Sequence, residues 1–236
     1  MEQLLRACSQ LNIAIDEATA SKFREFKELV LAWNEKVNLT SITEEEDFIK
    51  KHFIGSVLCA GFDELTHAKT VIDIGTGAGF PGVPLALLFP EKQFLLMDST
   101  GKKITILGAI TKKLELPNIK LIHARAEDLA HDKEHREAYD LCVSRAVANL
   151  ATLSEYGLPF VKTGGSLVSY KGPDTDEEVK AAEKAVKVLG GDFAGIKKVK
   201  PGGFDLDHSF VIIKKIKETP EKYPRRAGIP AKAPLS

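Results

Sequence analysis

Residues 71 to 82 read Val71-Ile-Asp73-Ile-Gly75-Thr-Gly77-Ala-Gly79-Phe80-Pro81-Gly82. A β-type apolar run ends in closely spaced glycines, and an apolar helical pattern begins at Val83. A strand, a glycine-rich turn and a helix, in that order, are how α/β proteins bring backbone against a nucleotide-like ligand. A Cβ on those glycines would block the tight turn or the ligand's approach. Gly77 to Gly82 also satisfies the dinucleotide fingerprint G-x-G-x-x-G, so the glycines alone leave the cofactor class open.

Two acids bear on the choice. Asp98 closes the next predicted strand, 19 residues after Gly79. There a carboxylate reaches the hydroxyl pair of an adenosine ribose, in NAD and S-adenosylmethionine enzymes alike. Asp73 lies inside the strand, two residues before the first glycine. A pyrophosphate wants free N–H groups and positive potential at the helix N-terminus. A carboxylate at the strand end opposes it, and Pro81 removes one donor. S-adenosylmethionine carries an ammonium and a sulfonium, which a nearby carboxylate favours. Asp73 could equally cap the loop through its backbone. The motif therefore points to a methyl donor ahead of a dinucleotide.

The alternation around this loop sets the fold class. Strands are predicted at 70–75, 93–98, 119–124, 140–144 and 165–170, with helices at 82–89, 101–115, 150–161 and 175–189. Strands and helices alternating with short links give a parallel sheet covered on both faces. The order then changes. Gly190-Gly191 leads to a polar stretch at 193–200, and Pro201-Gly202-Gly203 leads to Ser209–Lys214, which predicts an antiparallel hairpin at the sheet's edge. Before the loop, residues 1–66 read as a helical cap. Phe23, Phe26, Val30, Trp33 and Val37 share one helical face, and Thr43 with Glu46 forms a capping box for a second helix carrying Phe48, Ile49, Phe53 and Val57. Residues 67–217 form the sheet domain. Residues 218–236 are a tail in which Tyr223 to Ser236 has Arg225, Arg226 and Lys232, three prolines and no acid; it predicts disorder or an extended basic arm.

Composition narrows the class further. The chain has 236 residues, 44% hydrophobic and 28% charged, as expected of an ordinary soluble protein with one α/β domain and a small appendage. Cys8, Cys59 and Cys142 are scattered and lack a C-x-x-C, so neither a disulfide framework nor a metal site is indicated, and a cytoplasmic location is expected. No basic-then-apolar leader and no run near the roughly 20 apolar residues of a membrane helix is seen. With 33 basic against 33 acidic residues, a nucleic-acid partner would have to be met by a local patch.

Several segments together resemble the glucose-inhibited division protein B family, bacterial methyltransferases of small-subunit ribosomal RNA that act on guanine N7. These are Trp33-Asn34 with Asn38-Leu-Thr-Ser41, Lys51-His52, and Asp73 through Leu85. Asp98-Ser99 with Lys102-Lys103, Ala126-Glu127, Ser144-Arg145-Ala146, Lys171-Gly172 and Tyr223-Pro-Arg-Arg226 complete the set, from about Trp33 to Leu235. The Phe-Pro-Gly-Val-Pro extension is more specific than the glycines. Two departures stand out. Gly55 replaces an aspartate usual before Ser56, and Thr100 a leucine usual after Asp98-Ser99.

The resemblance implies a class I S-adenosylmethionine-dependent methyltransferase, Rossmann-like, that methylates one guanine in the decoding-region hairpin of 16S rRNA. It implies that Gly75 and Phe80 line the donor's methionine and adenosine region, with Asp98 on the ribose and Ala126-Glu127 at the adenine. On spacing alone, Glu127 reads equally as a first-turn acid favoured by the helix dipole. Arg145, at the end of the fourth strand, would serve donor and guanine together as a positioning residue. His52, Lys102, Lys103, Lys171, Arg225 and Arg226 would contact the RNA. The partner would be 16S rRNA, within the 30S subunit or its precursor, met by a monomer. Guanine N7 has an in-plane lone pair and no proton, so transfer needs in-line positioning more than acid-base help. Cys142 follows Leu141 inside a strand and reads as core, not as a nucleophile. A small-molecule methyltransferase of the same fold, favoured by zero net charge, and a NAD-binding oxidoreductase or binding module are the alternatives.

Overall fold

In the computed structural model, which describes residues 1–235, the strands are β1 (Thr70–Ile74), β2 (Gln93–Asp98), β3 (Ile119–His123), β4 (Tyr139–Arg145), β5 (Val161–Lys171), β6 (Gly191–Val199) and β7 (His208–Lys215). They form one sheet in the order β3-β2-β1-β4-β5-β7-β6. The first five are parallel. β7 runs antiparallel between β5 and β6, so the predicted hairpin exists, with its second strand as the inner one. The sequence reversal occurs at β1, which pairs with both β2 and β4. A crevice opens beyond the carboxyl ends of such strands.

Because successive side chains point to opposite faces, the strands feed two cores. Val71, Leu96, Leu141, Val143, Val168, Phe210 and Ile212 pack with Phe23, Phe26, Phe48, Phe53 and Val57 of the cap. Ile72, Ile74, Leu95, Met97, Cys142, Leu167, Val211 and Ile213 pack under the helices Leu150–Gly157 and Asp176–Val188. The N-terminal segment is thus part of one core rather than a separate lobe: its aromatic rings close over the glycine loop's helix, Gly82–Leu88.

Two local expectations need correction. Thr43 caps no helix. The helical turn begins at Glu45 after Glu44, with no side-chain cap, while Glu45 pairs with Lys27 of the helix Glu17–Asn34. The chain then continues as a π-helix, Phe48–Ile54. As far as Leu235 the tail is held against the domain rather than being a free arm. Arg136 donates to the carbonyls of Thr219 and Tyr223, at 2.7 and 3.0 Å. Arg225 forms a fork on the fully buried carboxylate of Glu155, with a shortest contact of 2.6 Å. Thr152 donates to the Pro230 carbonyl at 3.0 Å. No helix among the described residues is long and apolar enough to cross a membrane.

Candidate active site

The glycine loop is held by its own acids. Gly75 and Thr76 donate to the Met97 carbonyl, which ties β1's exit to β2. Gly75 and Gly77 have φ of +70° and +60°, a backbone that costs glycine least. Asp73 is fully buried, and its Oδ2 accepts from Gly82 N–H at 2.9 Å. It does cap the loop, yet only with one oxygen. Asp73 Oδ1 and Thr76 Oγ1 are buried without partners. Burial pushes the Asp73 carboxyl up to about 7. A half-satisfied buried carboxylate costs stability, and a cation placed against it would recover that cost.

Asp98 ends β2 and is also buried. Its two oxygens accept from Gly77 N–H at 3.0 Å and Thr100 N–H at 2.8 Å. It lines a cleft of about 120 Å³ with Gly75, Ser99, Ala126, Glu127, Val147 and Tyr156. Ala126 and Glu127 open the short helix Ala126–Leu129, so the first-turn reading of Glu127 holds for its place. Its carboxylate has a further task that spacing did not suggest: Oε1 accepts from Gly228 N–H at 2.8 Å, bringing the tail to the cleft. Val147 packs over Gly75, so tightly that a Cβ on the glycine would lie 2.5 Å from a Val147 methyl. A larger hollow of about 500 Å³ lies at the other end of the sheet, lined by Asp63, Asp140, Lys162 and Lys214. Lys162 and Asp140 there pair with each other at 2.7 Å, and it has no glycine loop. The smaller cleft, at the carboxyl ends of β1 and β2, is the candidate site.

Arg145 stands beside it at the end of β4, half-buried. Its Nη1 donates to the Lys51 carbonyl at 2.9 Å, and its Nη2 lies 3.2 Å from His52 Nδ1. Its guanidinium carbon sits 5.5 Å from the centre of the Phe80 ring. His52 stacks on that ring at 4.3 Å and 8°. Phe80 therefore sits between the cap and Arg145, with Phe26 and Phe48, and is not among the residues lining the cleft. Gly55 faces the same corner. A side chain there would meet His208 Nε2 at 3.4 Å and Arg145 Nη1 at 3.7 Å, so an aspartate would have stood between two nitrogen groups. His208, at the start of β7, is a neighbour the sequence reading missed; only the unpredicted place of β7 next to β5 brings it here.

The expected basic rim is uneven. Lys102 and Arg226 are exposed and Lys103 is half-buried. Lys171 is engaged inside the protein, bonded to Glu178 at 2.7 Å and to the Ala148 carbonyl at 3.0 Å. Arg225 is engaged likewise by Glu155. Both charges are spent on holding loops near the site, because each has a carboxylate within reach that a sequence cannot place.

The family model for rRNA small subunit methyltransferase G (GidB) matches residues 19–203. The chain belongs to this family. It is 47% identical over 229 residues to the Ribosomal RNA small subunit methyltransferase G of Clostridium tetani, covering 97% of this chain and 96% of that one. It is 46% identical over 230 residues to the enzyme of the same name from Clostridium perfringens, covering 98% and 96%. Among solved structures, a SAM-dependent O-methyltransferase from Thermotoga maritima superposes with a TM-score of 0.53 at 14% identity, covering 81% of this chain and 72% of that one. That likeness establishes the class I methyltransferase fold. As a member of the family the protein is a methyltransferase with S-adenosylmethionine as its donor. The residues present fit that donor: an unpartnered buried carboxylate oxygen at the glycine loop, and carboxylates of Asp98 and Glu127 along the cleft.

Proposed function

We propose that the protein transfers a methyl group to N7 of one guanine in the decoding-region hairpin of 16S rRNA, presented by the 30S subunit or its precursor, and acts as a cytoplasmic monomer. When bound, S-adenosylmethionine supplies an electrophilic methyl group on a sulfonium. Asp73 would hold its ammonium, Asp98 its ribose hydroxyls, and Ala126 with Glu127 its adenine. Arg145 would hold the guanine from the O6 side, leaving N7 free to attack. Lys102, Lys103 and Arg226 would meet RNA phosphates.

The observation that carries this reading is a built donor cleft in a chain of this family, with Arg145 standing beside it and no thiolate or imidazolium at hand. His52 is pushed down to about 3, first by burial and then by Arg145, and is neutral. Burial pushes the Cys59 thiol up to about 12 and raises that of Cys142, so neither supplies the thiolate a cytosine-C5 reaction requires. Guanine N7 requires neither. The test offers labelled donor with 30S particles and with purified 16S rRNA, both lacking the modification. Label at guanine N7 is expected; label on another base, or only on small metabolites, overturns the reading. Arg145→Ala should lose most activity at saturating donor while remaining folded.

A further inference from the structure

His52 belongs to the cap, yet it touches Arg145. Arginine carries donors only, so the contact between Arg145 Nη2 and His52 Nδ1, at 3.2 Å, makes Nδ1 the acceptor. The ring proton is then on Nε2, which lies 2.7 Å from Thr40 Oγ1 and donates to it. Thr40 Oγ1 also accepts from Ile42 N–H at 3.0 Å, and its remaining lone pair takes the histidine proton. Asn34 Oδ1 accepts from the N–H groups of Leu39 and Thr40, at 2.7 and 2.9 Å, and so fixes the turn that carries Thr40. The imidazole lies flat on Phe80 and edge-on to Phe48, 4.9 Å between centres. It is 9% exposed and cannot turn without breaking these contacts.

We infer that His52, held as the Nε2–H tautomer by Thr40, is a positioning residue that aims the Arg145 guanidinium at the substrate guanine. Two of the five N–H groups are committed to the cap, on Lys51 O and His52 Nδ1, which leaves three in a fixed plane for guanine. The other ring tautomer would point a proton at the guanidinium and push it away. The histidine's own charge is not needed; burial keeps the ring neutral. The cap is then a working part of the catalytic apparatus, acting through a chain from Asn34 and Thr40 to His52 and Arg145. This rests on the reading of Arg145 as the group that orients guanine, and it moves His52 from the RNA-contacting set to a place behind Arg145.

Two substitutions separate positioning from packing. Asparagine puts an amide oxygen where Nδ1 stands, whereas glutamine reaches only where Nε2 stands. His52→Gln and His52→Ala should lower kcat by about 30- to 100-fold, the scale of a misplacement of about 1 Å, with the donor KM within about threefold. His52→Asn should recover to within about fivefold of wild type. In an Arg145→Lys background, His52→Ala should cost almost nothing more, because the group it aims is already lost. Thermal unfolding checks each variant, and Thr40→Val, which removes the tautomer lock together with the acceptor of Ile42 N–H, gives the same test should the histidine variants unfold. It should lower kcat by about fivefold, and 15N spectra should show Nε2 protonated in wild type and a mixed population in the variant. Wild-type kcat in Arg145→Lys would sink the reading of Arg145 itself. An impaired Arg145→Lys whose loss multiplies with that of His52→Ala, equal losses in the Asn and Gln variants, or a proton on Nδ1 in wild type would overturn the positioning role.

Discussion

Asp73→Asn tests the donor site and the energetics of the glycine loop together. Asparagine keeps the shape and can still accept from Gly82 N–H, so the loop's cap survives. What disappears is a charge at a site with no exposure. Burial holds this carboxyl at about 7 against an ordinary 3.8. At 1.36 kcal/mol for each tenfold change in acidity, that difference corresponds to roughly 4 kcal/mol against folding once the group is ionised. The sign follows from proton uptake. Below the ordinary value both states carry the proton and the residue is neutral in its effect. Between 3.8 and about 7 the unfolded chain gives up its proton while the folded one keeps it, so stability falls as pH rises; above about 7 the penalty is constant. Asp73→Asn without ligand should therefore match wild type near pH 3.5 and exceed it near pH 8 by up to about 4 kcal/mol, a large share of a usual 5–15 kcal/mol. Donor binding should move the opposite way. A cation against Asp73 lowers its pKa, so wild-type affinity for S-adenosylhomocysteine should rise with pH up to about 7, with proton release visible in calorimetry across buffers. The variant should bind about 10- to 100-fold more weakly, the equivalent of a charge-assisted hydrogen bond, with no such pH dependence. A variant that is less stable than wild type at pH 8, or that binds the ligand as tightly, refutes the reasoning.

Two further substitutions probe other walls of the site. Asp98→Ala should weaken donor binding by about 1.5–3 kcal/mol, and because both oxygens also accept backbone N–H groups, Asp98→Asn should recover part of the loop order but little of the affinity, as read by calorimetry beside thermal melts. Arg225→Ala leaves the Glu155 carboxylate buried without its charged partner, held only by the backbone N–H of residue 225, and should cost about 3–5 kcal/mol in denaturant melts. Adding Glu155→Gln should return most of that; a strictly additive double variant would show that the pair does not hold the tail.

The parts of the site that could be read in the sequence are those set by a few neighbouring residues. The glycine loop, the end of β2 at Asp98 and the short helix at Ala126 depend on backbone geometry over a handful of positions, and each lies where its spacing placed it. What escaped depends on distant partners. Arg225 looked like one charge of an acid-free tail, yet its acid is Glu155, 70 residues earlier. Phe80 matched a cofactor motif, but the cap's Phe26, Phe48 and His52 surround it. The capping box at Thr43 had the correct letters and lost to Lys27, which draws Glu45 to the neighbouring helix. A local pattern states what a segment can do; docking decides which possibility is used.

The place of β7 between β5 and β6 has a consequence for how the chain is made. Synthesis delivers β6 before β7, but β6 has no seat in the sheet until β7 is laid beside β5, since among the described residues β7 is its sheet partner. Until residues 208–215 emerge, the edge of β5 from Ser166 to Lys171 keeps its row of N–H and C=O groups open. Such an edge recruits foreign strands. The arriving segment, Phe210 to Ile213, is buried on both faces and closes it in one late step. Afterwards the free border belongs to β6, which carries Lys197 and Lys198 and a register break between Phe193 and Gly195, features that discourage further pairing. On this side of the sheet a sticky border therefore exists only in the unfinished chain, and the finished one turns a lysine-bearing, irregular strand outward.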